Sequence, residues 1–391
     1  MEPDFSKLDD YVADEGVDGY LIDDDAENSD QKYLSGFDAP DPFVTLYTPE
    51  KTALLVSGLE YGRARKESRA DVVDRYGDYD YRKKIEEHGA GTAKSLVLAE
   101  FCAEHGVESV AVPARFPVSS ADGLRENDVE VFPETDGVVT EIRATKTEAE
   151  IEHVRAAQEA NEKAMAAAEA LIEDASVEDG VLHHGGEPLT AERVKEQIEL
   201  TLLRNGCALD ETIVACGEHG ADPHDRGTGP LEADELIVID VFPKNKETGY
   251  HGDMTRTFIK GEPTEEQRRR YEITERAVEA AFDAIEPGAT GGDVHDAVCD
   301  VYEEEGYATL RSDETTETGF IHSTGHGVGL DVHELPSVSP NGDELEPGHV
   351  ITIEPGLYDP AVGGVRIEDM VVVTEDGFEN LTDYPVELVV D

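Results

Sequence analysis

The sequence predicts a mixed α/β chain of two domains, which we place at residues 1–142 and 143–391. With 391 residues, the chain is too long for one ordinary hydrophobic core. Its first part alternates short apolar stretches, which suit strands, with a stretch of helical periodicity. A capping-box motif then opens a long helix, so we place the boundary near residues 141–147.

Five short apolar stretches predict the strands of the first domain. They lie at residues 18–22, 43–47, 52–56, 109–112 and 129–132. Residues 91–105 have helical spacing. This part carries no phosphate-binding loop and no cluster of catalytic side chains, so we expect the chemistry to lie in the second domain.

Helix-capping residues divide the second domain into two helix pairs. The caps that begin the four predicted helices are Thr147, Thr190, Thr264 and Thr290. The segment with His183 and His184 is expected to be a loop. Strand-like stretches at 236–242, 350–354 and 370–374 separate and follow the pairs. This repetition predicts pseudo-two-fold symmetry, with function where the halves meet.

The net charge excludes some classes of partner. The chain has 90 Asp and Glu against 32 Lys and Arg, a formal charge of −58. Such a charge repels nucleic acids and anionic membranes. No apolar run is long enough to span a bilayer, and the first residues do not resemble a secretory signal, so we expect a cytoplasmic protein. A basic partner could explain the charge, but its even spread favours a halophilic protein in concentrated salt.

We therefore predict that the folded structure depends on salt. The Debye length falls from about 8 Å at physiological ionic strength to about 3 Å at 1 M, where repulsion between surface carboxylates is screened. Circular dichroism should show loss of structure as salt is diluted. A spectrum that is unchanged down to millimolar salt would contradict this prediction.

Five side chains of the second domain are candidate metal ligands. They are Asp240 in LIVIDVFP, Asp253 in YHGDMTRTF, His326 in STGHGVGLDVHELP, Glu354 in VITIEPGLY and Glu368 in GVRIEDMVVVTEDG. Four carboxylates converging in an apolar pocket would repel strongly, unless one is protonated or cations neutralise them. Two divalent ions balance the four charges. Oxygen-rich ligation with one imidazole favours manganese, with cobalt, iron(II) or zinc as alternatives.

These five segments resemble, in order, the metal-site motifs of the pita-bread metallopeptidases, which include aminopeptidase P, prolidase and methionine aminopeptidase. The resemblance extends from about Arg143 to the C terminus. Residues 18–37 resemble, in segment order, the creatinase-type N-terminal domain of proline-specific members. The resemblance implies a creatinase-type α/β domain before a pita-bread catalytic domain, and a homodimeric exopeptidase that hydrolyses the Xaa-Pro bond.

The resemblance also implies how the ligands share two metal ions. Asp240 chelates one ion, Asp253 and Glu368 bridge both, and His326 and Glu354 complete the other. A hydroxide that bridges the ions attacks the scissile carbonyl. Glu354 carries a proton from that water toward the leaving nitrogen.

Three further residues match active-site positions of the family. His333 is expected to stabilise the developing oxyanion and position the substrate, although a surface histidine is the alternative. His224 lies where the family has another active-site histidine. Arg366 is expected to orient Glu368, with a surface ion pair as its alternative.

Several functions remain open at this point. Aminopeptidase P acts on longer peptides and prolidase on dipeptides, and the sequence does not separate them. Methionine aminopeptidase is disfavoured, because it usually lacks the added N-terminal domain. A metal-independent creatinase-like C–N hydrolase and a non-catalytic peptide-binding protein are disfavoured by the intact ligand set.

Overall fold

The computed structural model of the protein describes residues 3–390. Contacts divide the chain into two compact units, the first ending at Arg143 and the second beginning at Ala144. Among the described residues, no helix is both long enough and apolar enough to cross a bilayer. Each unit has its own hydrophobic core.

The first unit is a six-stranded mixed sheet with helices. Its strands β1–β6 are Gly19–Asp24, Phe43–Thr48, Lys51–Val56, Val72–Arg75, Ser109–Pro113 and Glu130–Glu134. Its helices α1–α7 are Ser6–Glu15, Ser29–Ser35, Tyr61–Glu67, Tyr81–His88, Ala90–Glu104, Val118–Arg125 and Val138–Ala144. The strand order is β4-β3-β2-β1-β5-β6. The pairs β1–β2 and β2–β3 are antiparallel, and the other three pairs are parallel.

The second unit contains the two helix pairs. Its helices α8–α11 are Glu148–Glu173, Ala191–Arg204, Glu265–Ala284 and Gly291–Glu304. Strands β7–β14 are Ser176–Glu178, Val181–His184, Glu187–Pro188, Cys207–Ala208, Thr212–Cys216, Ile237–Val241, Lys244–Asn245 and Met254–Phe258. Strands β15–β21 are Gly325–Gly327, Glu334–Val338, Val350–Ile353, Gly356–Asp359, Gly363–Arg366, Asp369–Thr374 and Gly377–Asn380.

Threonine caps begin all four helices of this unit, as predicted. The hydroxyl of each accepts a hydrogen bond from the backbone N–H three residues on. In α8 the Glu150 side chain accepts in return from the Thr147 backbone N–H, at 2.8 Å, which completes a capping box. These interactions satisfy N–H groups that a helix leaves free in its first turn, so the helices begin at defined residues.

Each helix pair packs against its own antiparallel sheet. The pair α8–α9 buries its apolar face with the sheet β11-β12-β14. The pair α10–α11 packs with the sheet β16-β15-β17-β20-β21. This repeated arrangement of two helices and a sheet agrees with the predicted pseudo-two-fold architecture.

One local prediction is wrong. His183 and His184 were expected in a loop, but they lie in β8, which pairs with β7 and β9 in a small antiparallel sheet. The strands are short and contain few apolar residues, so they do not show the alternation that identifies a half-buried strand.

Candidate active site

All eight predicted site residues line one cavity of about 760 Å³ in the second unit. They are His224, Asp240, Asp253, His326, His333, Glu354, Arg366 and Glu368. Apolar side chains, including Phe242 and Ile321, line other parts of the cavity. Polar groups therefore converge in a space large enough for a small ligand.

The five predicted ligands lie within strands or directly beside their ends. Asp240 is in β12, and Asp253 directly precedes the neighbouring strand β14. Glu354 directly follows β17, and Glu368 directly precedes β20, which pairs with β17. His326 is the middle residue of β15. Each half of the unit contributes part of the cluster on rigid backbone.

Three of these residues form a compact group of donor atoms. One ligand atom from each of Asp253, His326 and Glu368 lies within 4.8 Å of the other two. The Nε2 atom of His326 is 3.7 Å from Asp253 Oδ2 and 3.5 Å from Glu354 Oε1. Asp240 is outside that group, but it lines the same cavity.

The His326 ring is oriented to offer a lone pair to the cluster. Its Nδ1 is 3.1 Å from the Gly327 carbonyl oxygen, which can only accept, so Nδ1 carries the proton. Burial lowers the pKa of His326 to about 4. A neutral imidazole with a free Nε2 is the form that binds metal ions.

The carboxyl groups of the cluster are held where their charges are unfavourable. Burial raises the pKa of Asp253, and the charge of Glu368 raises it further. The pKa of Glu368 is likewise raised by burial and then by the charge of Glu354. Burial raises the pKa of Glu354 to about 8, although the nearby Arg366 opposes the shift. Without cations, protons must neutralise part of this cluster.

The arrangement fits divalent metal ions. Its donors are carboxylate oxygens and one neutral imidazole nitrogen, which are the donors that such ions take from proteins. Asp240 Oδ1 is buried and has no hydrogen-bond partner among the described residues, so it has an unused acceptor. Bound cations would remove the mutual repulsion that burial imposes.

Arg366 is buried, and the carboxylate that it contacts directly is that of Asp240. Its Nη2 donates to Asp240 Oδ2 at 2.6 Å, and its side chain is 4% exposed, so the surface ion-pair interpretation is wrong. Arg366 reaches Glu368 through Thr255: Arg366 Nε donates to Thr255 Oγ1 at 3.1 Å, and that hydroxyl donates to Glu368 Oε2 at 2.8 Å. That Arg366 orients Glu368 therefore stays a prediction, with Thr255 as the connecting group.

The two remaining predicted histidines also lie at the cavity. The His333 ring is 4.1 Å from the His326 ring, centroid to centroid, and burial lowers the pKa of His333. The backbone N–H of His224 donates to Asp222 Oδ1 at 3.0 Å, in the loop that precedes β12. Both imidazoles can therefore reach a ligand in the cavity.

A hydrogen-bonded chain behind the cluster was missed in the sequence. Arg366 Nη1 donates to the Tyr358 hydroxyl at 2.9 Å, which lies 2.9 Å from His322 Nε2. His322 Nδ1 is 2.7 Å from the Ser323 carbonyl oxygen and carries the proton, so Nε2 accepts from Tyr358. His322 lies four residues before the predicted ligand His326, and nothing in the local sequence marks Tyr358 as its partner.

Comparison with known proteins identifies the family. Residues 152–375 match the model of metallopeptidase family M24, and residues 5–145 match the creatinase/prolidase N-terminal domain. The chain is a member of metallopeptidase family M24. It is therefore a hydrolase, its family implies divalent metal ions, and the predicted creatinase-type and pita-bread domains are confirmed.

Relatives of this M24 peptidase resemble it over the whole chain. A Xaa-Pro dipeptidase of Pyrococcus horikoshii is 31% identical over 394 residues, covering 100% of this chain and 99% of the relative. A solved Xaa-Pro dipeptidase of Bacillus anthracis has a TM-score of 0.83 at 26% identity, covering 98% of both chains. An X-Pro aminopeptidase of Thermotoga maritima has a TM-score of 0.79 at 27% identity, covering 96% of this chain and 98% of its own.

Proposed function

We propose that this M24 peptidase is an exopeptidase that hydrolyses the Xaa-Pro bond with two divalent metal ions. The observation that carries the proposal is the group of donor atoms from Asp253, His326 and Glu368, which lie within 4.8 Å of one another in the cavity wall. Full-length similarity to a Xaa-Pro dipeptidase supports the choice of substrate.

The residues present allow each ion to be assigned its ligands. Asp240 would hold one ion, Asp253 and Glu368 would hold both, and His326 and Glu354 would hold the other. When bound, two such ions lower the pKa of a water molecule and polarise the scissile carbonyl. We propose manganese as the preferred ion, because four carboxylates and one imidazole make an oxygen-rich site.

Glu354 is placed to move a proton during the reaction. The proline nitrogen must receive a proton as the C–N bond breaks, because an amine anion is a very poor leaving group. Glu354 lines the cavity, with its Oε1 3.5 Å from His326 Nε2, so its carboxylate is placed to exchange a proton with a water molecule and with the leaving nitrogen. Glu354 would therefore accept the proton of the attacking water and donate it to the leaving proline.

The other side chains would bind and orient the peptide. His333 is neutral at neutral pH, and its protonated ring nitrogen can donate to the oxygen of the scissile carbonyl as charge develops there. His224 lies at the same cavity and can bind the peptide backbone. Apolar side chains such as Phe242, Ile321 and Val332 suit the pyrrolidine ring of proline.

The proposal is tested with a series of peptides of increasing length. Hydrolysis of a Xaa-Pro dipeptide, a Xaa-Pro tripeptide and longer peptides should be measured in high salt with Mn²⁺. We expect the dipeptide to be cleaved and the matched Xaa-Ala dipeptide to be cleaved much more slowly. Cleavage of only the longer peptides would make the chain an aminopeptidase. No cleavage of any Xaa-Pro peptide by the metal-loaded protein would refute the proposal.

Metal content distinguishes the proposed function from two alternative functions. A metal-independent C–N hydrolase or a non-catalytic peptide-binding protein would be purified without bound ions. We expect manganese in stoichiometric amount after reconstitution, measured by atomic absorption. Turnover that survives complete removal of metal would favour the C–N hydrolase.

Further properties belong to the same proposal. We propose a cytoplasmic homodimer that acts on peptides and binds neither nucleic acid nor membranes, in keeping with its charge of −58. We also propose that residues 1–142 and 143–391 are its functional domains and that it works in concentrated salt. Sedimentation in high salt measures the oligomeric state.

A further inference from the structure

A buried glutamine on the long helix α8 contacts the metal-ligand strand. Gln158 has no exposed surface. Many of its buried neighbours on α8 are apolar and pack into the core, such as Ala164 and Met165. A buried amide costs free energy unless its hydrogen bonds are made, so an amide at this position needs a reason other than packing.

The side-chain amide of Gln158 makes hydrogen bonds to both the backbone N–H and the backbone carbonyl oxygen of Asp253. Its Oε1 accepts from the Asp253 N–H at 3.0 Å. Its Nε2 donates to the Asp253 carbonyl oxygen at 3.0 Å. Asp253 directly precedes β14, so these bonds fix the backbone of a residue at a strand end.

The second proton of the same amide connects to the other bridging residue. Gln158 Nε2 also donates to Thr382 Oγ1 at 2.8 Å. That hydroxyl oxygen accepts from the backbone N–H of Met370 at 3.0 Å, in the strand that begins directly after Glu368. One side chain therefore links the backbones that carry both candidate bridging carboxylates.

Gly252, directly before Asp253, leaves room for this contact. A Cβ atom at Gly252 would lie 2.8 Å from Gln158 Oε1 and 3.0 Å from the backbone of α8. Any larger residue would therefore push the helix and the strand apart. The glycine lets the Gln158 amide approach Asp253 within hydrogen-bonding distance.

Like charges surround the side chain of Asp253. Its carboxylate is buried and lines the same cavity as the carboxylates of Asp240, Glu354 and Glu368. Without restraint, the strand end would move to separate these charges before an ion arrives. A preformed site loses less free energy on ordering when the ion binds.

We propose that Gln158 is a positioning residue that holds Asp253 ready to bind metal. The inference rests on the proposed function, since it assumes that Asp253 is a ligand. It predicts that replacing Gln158 weakens metal binding by more than the accompanying loss of folding stability explains. Substitution of a residue that hydrogen-bonds a metal ligand typically weakens metal affinity by about 10- to 100-fold.

The test compares two buried glutamines replaced by methionine, which has similar length and no amide. Gln158→Met should weaken Mn²⁺ binding to the metal-free protein by about 10- to 100-fold, measured by isothermal titration calorimetry. Gln31→Met is the control, because Gln31 is equally buried in the first unit and donates to the carbonyl oxygens of Asp24 and Phe43. We expect it to lower the unfolding temperature and leave Mn²⁺ affinity unchanged.

Unchanged affinity in Gln158→Met, or an equal loss in Gln31→Met, would overturn the inference. If Gln158→Met does not fold, hydrogen exchange of the wild-type protein decides. The Asp253 amide should exchange slowly in metal-free protein, as strand amides do, by mass spectrometry with electron-transfer fragmentation. Fast exchange that slows only when Mn²⁺ is added would mean that metal, not Gln158, orders the strand end.

These outcomes are separate from the proposed function. If the wild-type protein binds no Mn²⁺ and cleaves no Xaa-Pro peptide, the proposed function fails, and the role of Gln158 fails with it. If the wild-type protein binds Mn²⁺ and cleaves the peptide while Gln158→Met binds equally well, only the role of Gln158 fails.

Discussion

Asp253→Asn is expected to abolish hydrolysis and to stabilise the metal-free protein. Activity should fall by about 10⁴-fold, as when one member of a catalytic unit is removed. The unfolding temperature of the metal-free protein should rise, because an amide replaces a buried carboxyl group that Glu368 repels. For a domain of this size, each kcal/mol of relieved repulsion raises the unfolding temperature by about 2–4 °C. Dipeptide turnover and calorimetry in chelator measure the two effects.

Asp23→Asn is the matched control for this variant. Asp23 is also buried, but Lys94 Nζ lies 2.7 Å from its Oδ2 and Ser120 Oγ donates to it at 2.6 Å. Neutralising a carboxylate that has a cationic partner should lower the unfolding temperature and leave turnover unchanged. A lower unfolding temperature in both variants would mean that Asp253 is not under repulsion in the metal-free protein.

Removal of metal should eliminate turnover, and its effect on stability should grow with pH. The raised pKa values of Asp253, Glu354 and Glu368 mean that the folded metal-free protein holds protons that the unfolded chain releases. Its stability should therefore fall as pH rises from about 5, above the ordinary carboxyl pKa, to about 8. Ions bound at the proposed site would replace those protons. The unfolding temperature with Mn²⁺ should thus exceed that in chelator by more at pH 8 than at pH 5.5.

General screening of the chain's negative charge must be separated from binding at the site. Divalent cations reduce repulsion between surface carboxylates in any strongly acidic protein. Asp253→Asn keeps that surface but lacks one of the proposed ligands, so its response to Mn²⁺ should be small and nearly independent of pH. A response equal to that of the wild-type protein would assign the stabilisation to screening. The difference between the unfolding temperatures of the wild-type protein with Mn²⁺ and in chelator should also grow with pH. If it is constant from pH 5.5 to pH 8, the ions do not replace protons on these carboxyl groups.

Local signals in the sequence predicted the helices of the second unit well. The capping threonines act on N–H groups within the same turn, so a few adjacent residues determine where α8 and α10 begin. The strands that carry candidate ligands were also predictable, since Asp240 and Glu354 lie within or beside continuous apolar runs. Their convergence could be inferred from charge, because an isolated buried carboxylate needs a partner.

Contacts between distant parts of the chain were not predictable in the same way. Arg366 bonds Asp240 across 126 residues of sequence, and Gln158 bonds Asp253 across 95. Gln158 lies on the buried face of α8 in the structure, and its own sequence neighbourhood does not show which strand packs there. Short strands such as β8 and β18 also escaped prediction, because they are defined by their partners and not by their own composition.

The distribution of donors along the chain has a consequence for the order of events during biosynthesis. Asp240 and Asp253 emerge from the ribosome well before Glu368, which contacts Thr255 only after the second half has been made and has docked. No nascent fragment that ends before Glu368 has the full set of donors. Under the proposed ligand assignment, the complete metal site therefore forms only after residue 368 has been synthesised and the second half of the unit has folded.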